Sequence, residues 1–499
     1  MGSGFPNRQQ LRIEWTHDPR GFHHVHLYFT TNPSRNSCDS HLRHSMEKIE
    51  TTTMNLKACF SEDDLRDLLG SVAAPGSLAA FRDGLQTRHG NVIRSRYDVS
   101  SKEIPFSCDE IPWYSLGKRP IDPEIGPTRT LAYASGAYFV QDAGSLLALA
   151  LCKADELHGS PLLICDLCAA PGAKASALLE MTERSGGFLL ANEVIRSRIP
   201  ALNSNLSRTG SNRYAISSLD PQDLADQLDG VFDMVLVDAP CSGQAMLSRG
   251  KQNRSAFSKQ QVEHSALRQN RILDAALKLV KTGGQLVYST CTFAEAENES
   301  QIERLLKQGV VEPVQNPKLK DYETETGCYR LWPHEHQCAG SFASSLRVTK
   351  PTANNDYRKK DKPINVSDIP LHDWYSGDFA EYRFHRSKVS LFGWPNHAPQ
   401  WVERIAVGGP EIAFRTGQTW KPAHAGALRS LTNLKPIQTE ALNADLANQY
   451  LQGNTINVDL VGWASASYNG RPLGWLKGVN GKAKNHLPTH SRSNGRLIS

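Results

Sequence analysis

Residues 162–174, LLICDLCAAPGAK, pass from an apolar stretch of β character into a turn of small residues and then into a helical segment. The unbroken apolar run at 162–167 suits a strand buried on both faces, as in a parallel sheet. Doubly wound sheets bind nucleotides at a tight turn after the first strand. There small residues let the backbone approach a ligand, and the next helix offers unpaired N–H groups. The dinucleotide pattern G-x-G-x-x-G is absent, which argues against NAD. The candidate cofactor loop is therefore Asp166, Cys168, Ala169, Ala170, Pro171, Gly172, Ala173 and Lys174. A second strand ends at Asn192-Glu193, about 20 residues on, where an acid can accept both hydroxyls of a ribose.

Working outward, apolar runs at 188–192, 214–217, 232–237 and 285–289 alternate with helical stretches such as 260–281. That alternation predicts a doubly wound α/β domain over 134–349. Residues 46–133 read as a small N-terminal α/β module. Within it Ser61 caps a helix that carries Leu65, Leu68 and Leu69 on one face. Residues 1–45 read as a disordered extension, although FHHVHLYF alternates as a short strand would. Residues 350–370 are polar, charged and Pro-bearing, a linker. Residues 371–499 are rich in Trp, Gly and β-branched residues, which predicts one or two small β-rich domains.

The longest central apolar run, 146–152, is far short of the roughly 18 residues that a membrane helix needs. With no signal-like amino terminus, a soluble cytoplasmic monomer is the expectation. A net charge of +5 is compatible with nucleic acid without arguing for it. Its distribution says more: residues 460–499 hold six Lys/Arg and no acid, a basic surface beside the aromatic Tyr468 and Trp475. Ten cysteines without regular spacing read as free thiols. Cys165 and Cys168 form a lone C-x-x-C with no second pair, so no metal is expected.

Two further cysteines matter more. The 232–237 run ends in Asp238-Ala-Pro-Cys241-Ser-Gly243, and the 285–289 run in Thr290-Cys291-Thr292. Strand ends in one parallel sheet lie about 4.8 Å apart, so both thiols can flank one substrate ring. Such a pair suits methylation at carbon 5 of cytosine. A thiolate adding to carbon 6 makes carbon 5 nucleophilic toward a methyl sulfonium. A second group then removes the carbon 5 proton so that the thiol can leave. Asp238 is placed to meet charge at ring nitrogen 3. Lys174 is a candidate source of positive charge to activate Cys291.

These residues resemble the Nol–Nop–Sun family of RNA 5-methylcytosine methyltransferases. DLCAAPGAK174 is similar to its D-x-C-A-A-P-G-G-K loop, DAPCSG243 to D-A-P-C-S-G, and YSTCTFAEAENE299 to Y-S-T-C-T followed by E-N-E. YFVQDAGSLL147 is similar to a Y-x-x-Q-[DE] segment before the catalytic sheet, and RLWPHEHQCAGSFASSLR347 to closing strands of the R-x-x-P-H…G-F-F type. The tail, YNGRPLGWLKGVNGKAKNHLP488, is similar to the PUA-like region of the RsmF subgroup.

The resemblance implies a Rossmann-like class I methyltransferase using S-adenosylmethionine, with a PUA-like RNA-binding region at its end. It implies Cys291 as nucleophile and Cys241 as its partner in release, with Lys174 and Asp238 lining the cytosine pocket. Glu193 would bind ribose, Asp220 the adenine, and Arg198 would join the cofactor set. RNA, as ribosomal RNA or the small ribosomal subunit, is the implied partner. A transfer RNA enzyme, a DNA cytosine methyltransferase and a silent ribosome-assembly factor are the alternatives. Three departures stand out: Ala173 for a second Gly, Gln244-Ala245 for Glu-Gly, and only a remnant, at Arg88 to Arg96, of an R-x-N-x-x-K segment.

Overall fold

The computed structural model describes residues 61–349, 366–429 and 432–499, and the backbone of two strands before them. Those strands, Gln10–His17 and His23–Thr30, pair antiparallel with Gln10 opposite Thr30. They stand where a disordered extension was expected, and both alternate apolar with polar residues in sequence. The remainder of 1–60 and residues 350–365 of the expected linker lie outside the described residues.

Asn55–Ser499 forms one unit. It opens with helix Glu62–Leu69, where Ser61 and Asp64 cap each other reciprocally. Leu65 and Leu69 bury against Phe81, Phe293 and Trp332. A four-stranded antiparallel sheet follows in the order Cys108–Ile111, Tyr114–Pro120, Val92–Ser95, Tyr138–Gln141. Its fourth strand is the YFVQ segment, so this module takes an edge from beyond residue 133. Arg94 is buried and holds Glu180 through both terminal nitrogens at 2.8 and 3.2 Å. Arg96 donates to the carbonyls of Arg208 and Thr209. The guanidiniums of Arg94 and Arg96 thus fasten the module to its neighbour, and Arg88 alone of the three arginines in this stretch is exposed.

The central sheet has nine strands. Val280–Thr290, Phe232–Asp238, Leu163–Asp166, Phe188–Asn192 and Tyr214–Ser217 lie parallel in that order. Ser341–Val348, Cys328–Leu331 and Glu323–Glu325 continue it antiparallel, and Val311–Pro313 pairs beside Ser341–Val348. All five parallel runs expected from apolar patterning are present, and helix Lys259–Leu279 matches the expected 260–281. One core layer packs helices Leu146–Leu151 and Ala173–Ser185 on the sheet. The other packs Lys259–Leu279 on the opposite face. Strand order reverses between Leu163–Asp166 and Phe232–Asp238, the switch point at which a doubly wound sheet opens a crevice.

Residues 366–429 are not an appendage. Trp394 is wholly buried and its indole N–H donates to the Tyr214 carbonyl at 2.7 Å. Trp401 meets Phe188 and Phe232 edge-on, and the Ile216 amide donates to Gly408 at 2.9 Å. The block covers the free edge of the sheet, which would otherwise present unpaired strand groups. Val366–Pro370, expected as linker, belongs to it, with Ile369 buried. A last, five-stranded sheet runs Thr439–Ala441, Gly462–Tyr468, Arg471–Val479, Lys482–Asn485, Ile456–Asn457. Trp475 and Arg471, expected among the RNA-facing residues, serve packing instead. Trp475 is 1% exposed and bonded to the Ala423 carbonyl. Arg471 pairs with Asp98 and Glu103.

Candidate active site

The cofactor loop sits between two parallel neighbours. The Leu167 amide donates to Leu236 and the Ala169 amide to Asn192, both at 2.9 Å, which opens the loop at the switch point. Gly172 caps helix Ala173–Ser185 at φ +112°, and a Cβ there would meet Asn205 and Leu202 at 3.1 and 3.2 Å. Only glycine suits that position. Ala173 is the first helical residue, so the departure from a second glycine carries no backbone strain.

Asp166 is wholly buried and neither carboxylate oxygen has a full hydrogen-bond partner. Burial, then the charge of Asp238, push its pKa up to about 8, against weaker opposing effects of Lys174 and the Cys168 amide. Glu193 is 5% exposed. Its carboxylate accepts from the Ile195 amide at 2.8 Å and pairs with Arg198 at 3.1 Å. Arg198 also donates to the Ala170 carbonyl at 2.6 Å, tying the acid to the loop. Asp220 caps helix Pro221–Gln227 by accepting from the Gln222 amide. Cys165 is buried in the core and Cys168 borders the crevice; burial holds both thiols protonated. No group of metal-binding side chains occurs among the described residues.

The two cysteines meet. Cys241 Sγ and Cys291 Sγ are 3.3 Å apart. The hydrogen bond to Cys291, then burial, raise the Cys241 pKa well above that of a free thiol. Lys174 Nζ lies 2.8 Å from Asp238 Oδ2, and Ser289 donates to Asp238 Oδ1 at 2.8 Å. Burial works against the Lys174 charge. The Asp238 carboxylate, with lesser help from Cys291 and Asp166, outweighs it and raises the lysine pKa.

Sequence patterns gave no roles to the residues that hold these loops. Glu297 is buried and accepts from the Ser242 amide and the Gln269 side chain, both at 2.9 Å. Asn298 links Thr290 and the Thr292 carbonyl. Glu299 holds Arg330 through both oxygens at 2.6 and 2.5 Å, and Arg330 donates on to Phe293. Gln244, at the Glu-Gly departure, accepts from the Phe293 amide and donates to Ala256, while the Ala245 amide donates to the Cys291 carbonyl. That substitution therefore stitches the Cys241 loop to the Cys291 loop. Asp142 of the YFVQD segment pins Arg249 at 2.7 Å. The E-N-E triplet was legible as a motif, but only the fold shows that all three side chains point inward.

Cys168, Ala170, Glu193, Arg198, Asp220, Asp238, Cys241 and Cys291 border one cleft of about 650 Å³, within the range of small-molecule and cofactor sites. Exposed Val194 and Ile195 flank its acid. Lys174 reaches it through Asp238.

Residues 155–347 match the family model of the 16S rRNA methyltransferases RsmB/F. Residues 439–493 match that of the methyltransferase RsmF PUA domain. Among curated proteins the chain is similar to the ribosomal RNA small subunit methyltransferase F of Escherichia coli O157:H7, at 26% identity over 79% of this chain and 87% of the relative. The protein of that name from Shewanella piezotolerans is 26% identical over 76% and 84%. Among solved structures, a methyltransferase homolog protein from Pyrococcus horikoshii aligns at 22% identity and TM-score 0.49, over 60% of this chain and all of that one.

Proposed function

We propose that this chain, an RNA methyltransferase of the RsmB/F kind with an RsmF-type PUA domain, methylates carbon 5 of a cytosine in small-subunit ribosomal RNA. The observation that carries the chemistry is the 3.3 Å contact of the two thiols at adjacent strand ends. The name of the relatives points to the RNA. The reading implies a monomer working in the cytoplasm, and no helix among the described residues is long and apolar enough to cross a membrane.

The cleft fits S-adenosylmethionine. A buried acid ends the second strand, the Gly172 cradle has no room for a Cβ, and the Asp166 carboxyl is unpartnered. Glu193 would take the ribose hydroxyls, Asp220 the adenine, and the 168–173 backbone the remainder. Arg198 acts through Glu193 and the Ala170 carbonyl. Bound there, the cofactor would supply an electrophilic methyl group for carbon 5.

The protein's part is to make carbon 5 attack and then to free the product. The Cys291 thiolate adds to carbon 6, opening the 5,6 double bond and moving its electron pair toward carbon 5. Lys174, held in place by Asp238, offsets the negative charge that develops on the ring. Once the Cys291 sulfur is bonded to carbon, it no longer accepts a hydrogen bond or carries charge, and the leading cause of the raised Cys241 pKa is gone. Cys241 then releases its proton to cleft water and takes the carbon 5 proton. The electron pair re-forms the double bond, and the carbon–sulfur bond breaks to return the Cys291 thiolate. One proton leaves per methyl group transferred.

Bisulfite sequencing of small-subunit RNA from cells with and without the gene tests the assignment. One protected cytosine should disappear with the gene. An unchanged small-subunit pattern would exclude this RNA as the substrate.

A further inference from the structure

Cytosine methylation asks each thiol to reach the substrate ring, and it does not ask the two to touch each other. Yet their sulfurs stand 3.3 Å apart. A disulfide bond is about 2.0 Å long, so an approach of about 1.3 Å would join them. The backbone on either side of the pair is already fastened. The Ala239 amide donates to the Ser289 carbonyl at 2.8 Å, and the Ala245 amide to the Cys291 carbonyl at 3.1 Å. The Ser242 and Thr292 hydroxyls meet at 2.7 Å. Loops stitched before, between and behind the thiols hold them together, and side-chain rotation supplies the rest.

Both sulfurs border the cleft and both residues are half-buried, so a small oxidant reaches them through its water. The other described cysteines are less well placed. Cys152, Cys165, Cys328 and Cys338 are buried. Burial pushes the Cys108 thiol up to about 11 and holds Cys168 protonated, whereas the thiolate is the reactive form. Among the described residues, Cys241 and Cys291 are the one pair of cysteines in hydrogen-bonding contact.

We infer that hydrogen peroxide switches this enzyme off reversibly by joining Cys241 to Cys291 in a disulfide. The Cys291 thiolate attacks one peroxide oxygen, the O–O bond breaks, and hydroxide leaves a sulfenic acid behind. That hydroxide takes up the proton Cys291 had released. The Cys241 sulfur then attacks the sulfenic sulfur, and its proton departs with the sulfenic hydroxyl as water. Two thiols are oxidised to one disulfide while one peroxide is reduced to two waters. A dithiol restores both thiols by exchange. Resolution by Cys241 also halts Cys291 before the sulfinic acid, which thiols do not reduce. As a control on methylation the inference rests on the catalytic reading, but the bond itself rests only on the sulfur geometry.

The test exposes the full chain to hydrogen peroxide, alkylates it under denaturing conditions and maps it, unreduced, by mass spectrometry. The wild-type chain should lose two alkylable thiols and yield a peptide pair joining Cys241 to Cys291. Dithiothreitol should return both thiols, and methylation should fall and recover with them. Cys241→Ala removes the resolving sulfur, so its Cys291 should gain two oxygens and stay unrecovered by dithiothreitol. Sulfinic acid forming at Cys291 as fast in the wild-type chain as in Cys241→Ala would overturn the switch. Two free thiols after exposure would overturn it equally. The bond is read by mass alone, so its absence is distinguishable from an absence of methylation by the unoxidised chain.

Discussion

Asp166→Asn should stabilise the protein, and increasingly so as pH rises. The unfolded carboxyl ionises near 3.8 and the folded one at about 8. Between those values the unfolded chain has released a proton that the folded chain keeps. Stability therefore declines through that window by about 1.4 kcal/mol per pH unit, to a ceiling of about 5–6 kcal/mol. Asparagine has nearly the same shape and no ionisation, so its curve lacks that decline. The variant's advantage should grow from about 2 kcal/mol at pH 5 to about 4 at pH 7 and level off above 8. Both forms carry a buried, unpartnered polar group, so that cost cancels in the comparison. Denaturant unfolding of both proteins across this pH range measures the difference. Parallel curves would refute the reasoning, since the wild-type carboxyl would then carry no folded-state shift.

Glu193→Ala should weaken S-adenosylmethionine binding by about tenfold or more, from loss of two charge-assisted hydrogen bonds of about 1.5–3 kcal/mol each; unchanged affinity by calorimetry would remove Glu193 from the ribose site. Arg330→Met should cost about 3–5 kcal/mol by stranding the buried Glu299, and a melting temperature equal to wild type would contradict this. A chain ending at Thr349 should fail to fold, since it loses Trp394 and Trp401 from the sheet's core; a soluble, cofactor-binding fragment would show that the 366–429 block is dispensable.

Much of the sheet was legible because its strands are buried on both faces. Unbroken apolar runs such as 188–192 and 214–217 have few alternatives. The cofactor loop and the cysteine strand ends were legible because their residue types follow those strands directly. What patterning could not supply was long-range. Arg94 and Glu180 are far apart in the chain, and a buried arginine reads in sequence like a surface one. Trp475 and Lys477 sit on one sheet face, and only the extent of the covering block decides that the first is buried and the second exposed. The 366–370 segment looked like linker because its two anchoring side chains, Val366 and Ile369, stand singly among Ser, Asp and Pro.

The central claim is that Cys291 forms the bond to cytosine and Cys241 breaks it. Denaturing gel electrophoresis of each single alanine variant, incubated with substrate RNA and S-adenosylmethionine, tests it most directly. Cys241→Ala should accumulate a covalent RNA–protein adduct, because addition and methyl transfer need only Cys291 and its pocket. Cys291→Ala should give neither adduct nor product. An adduct that survives loss of Cys291 and vanishes with Cys241 would reverse the two roles. Wild-type turnover in both variants would contradict the mechanism outright.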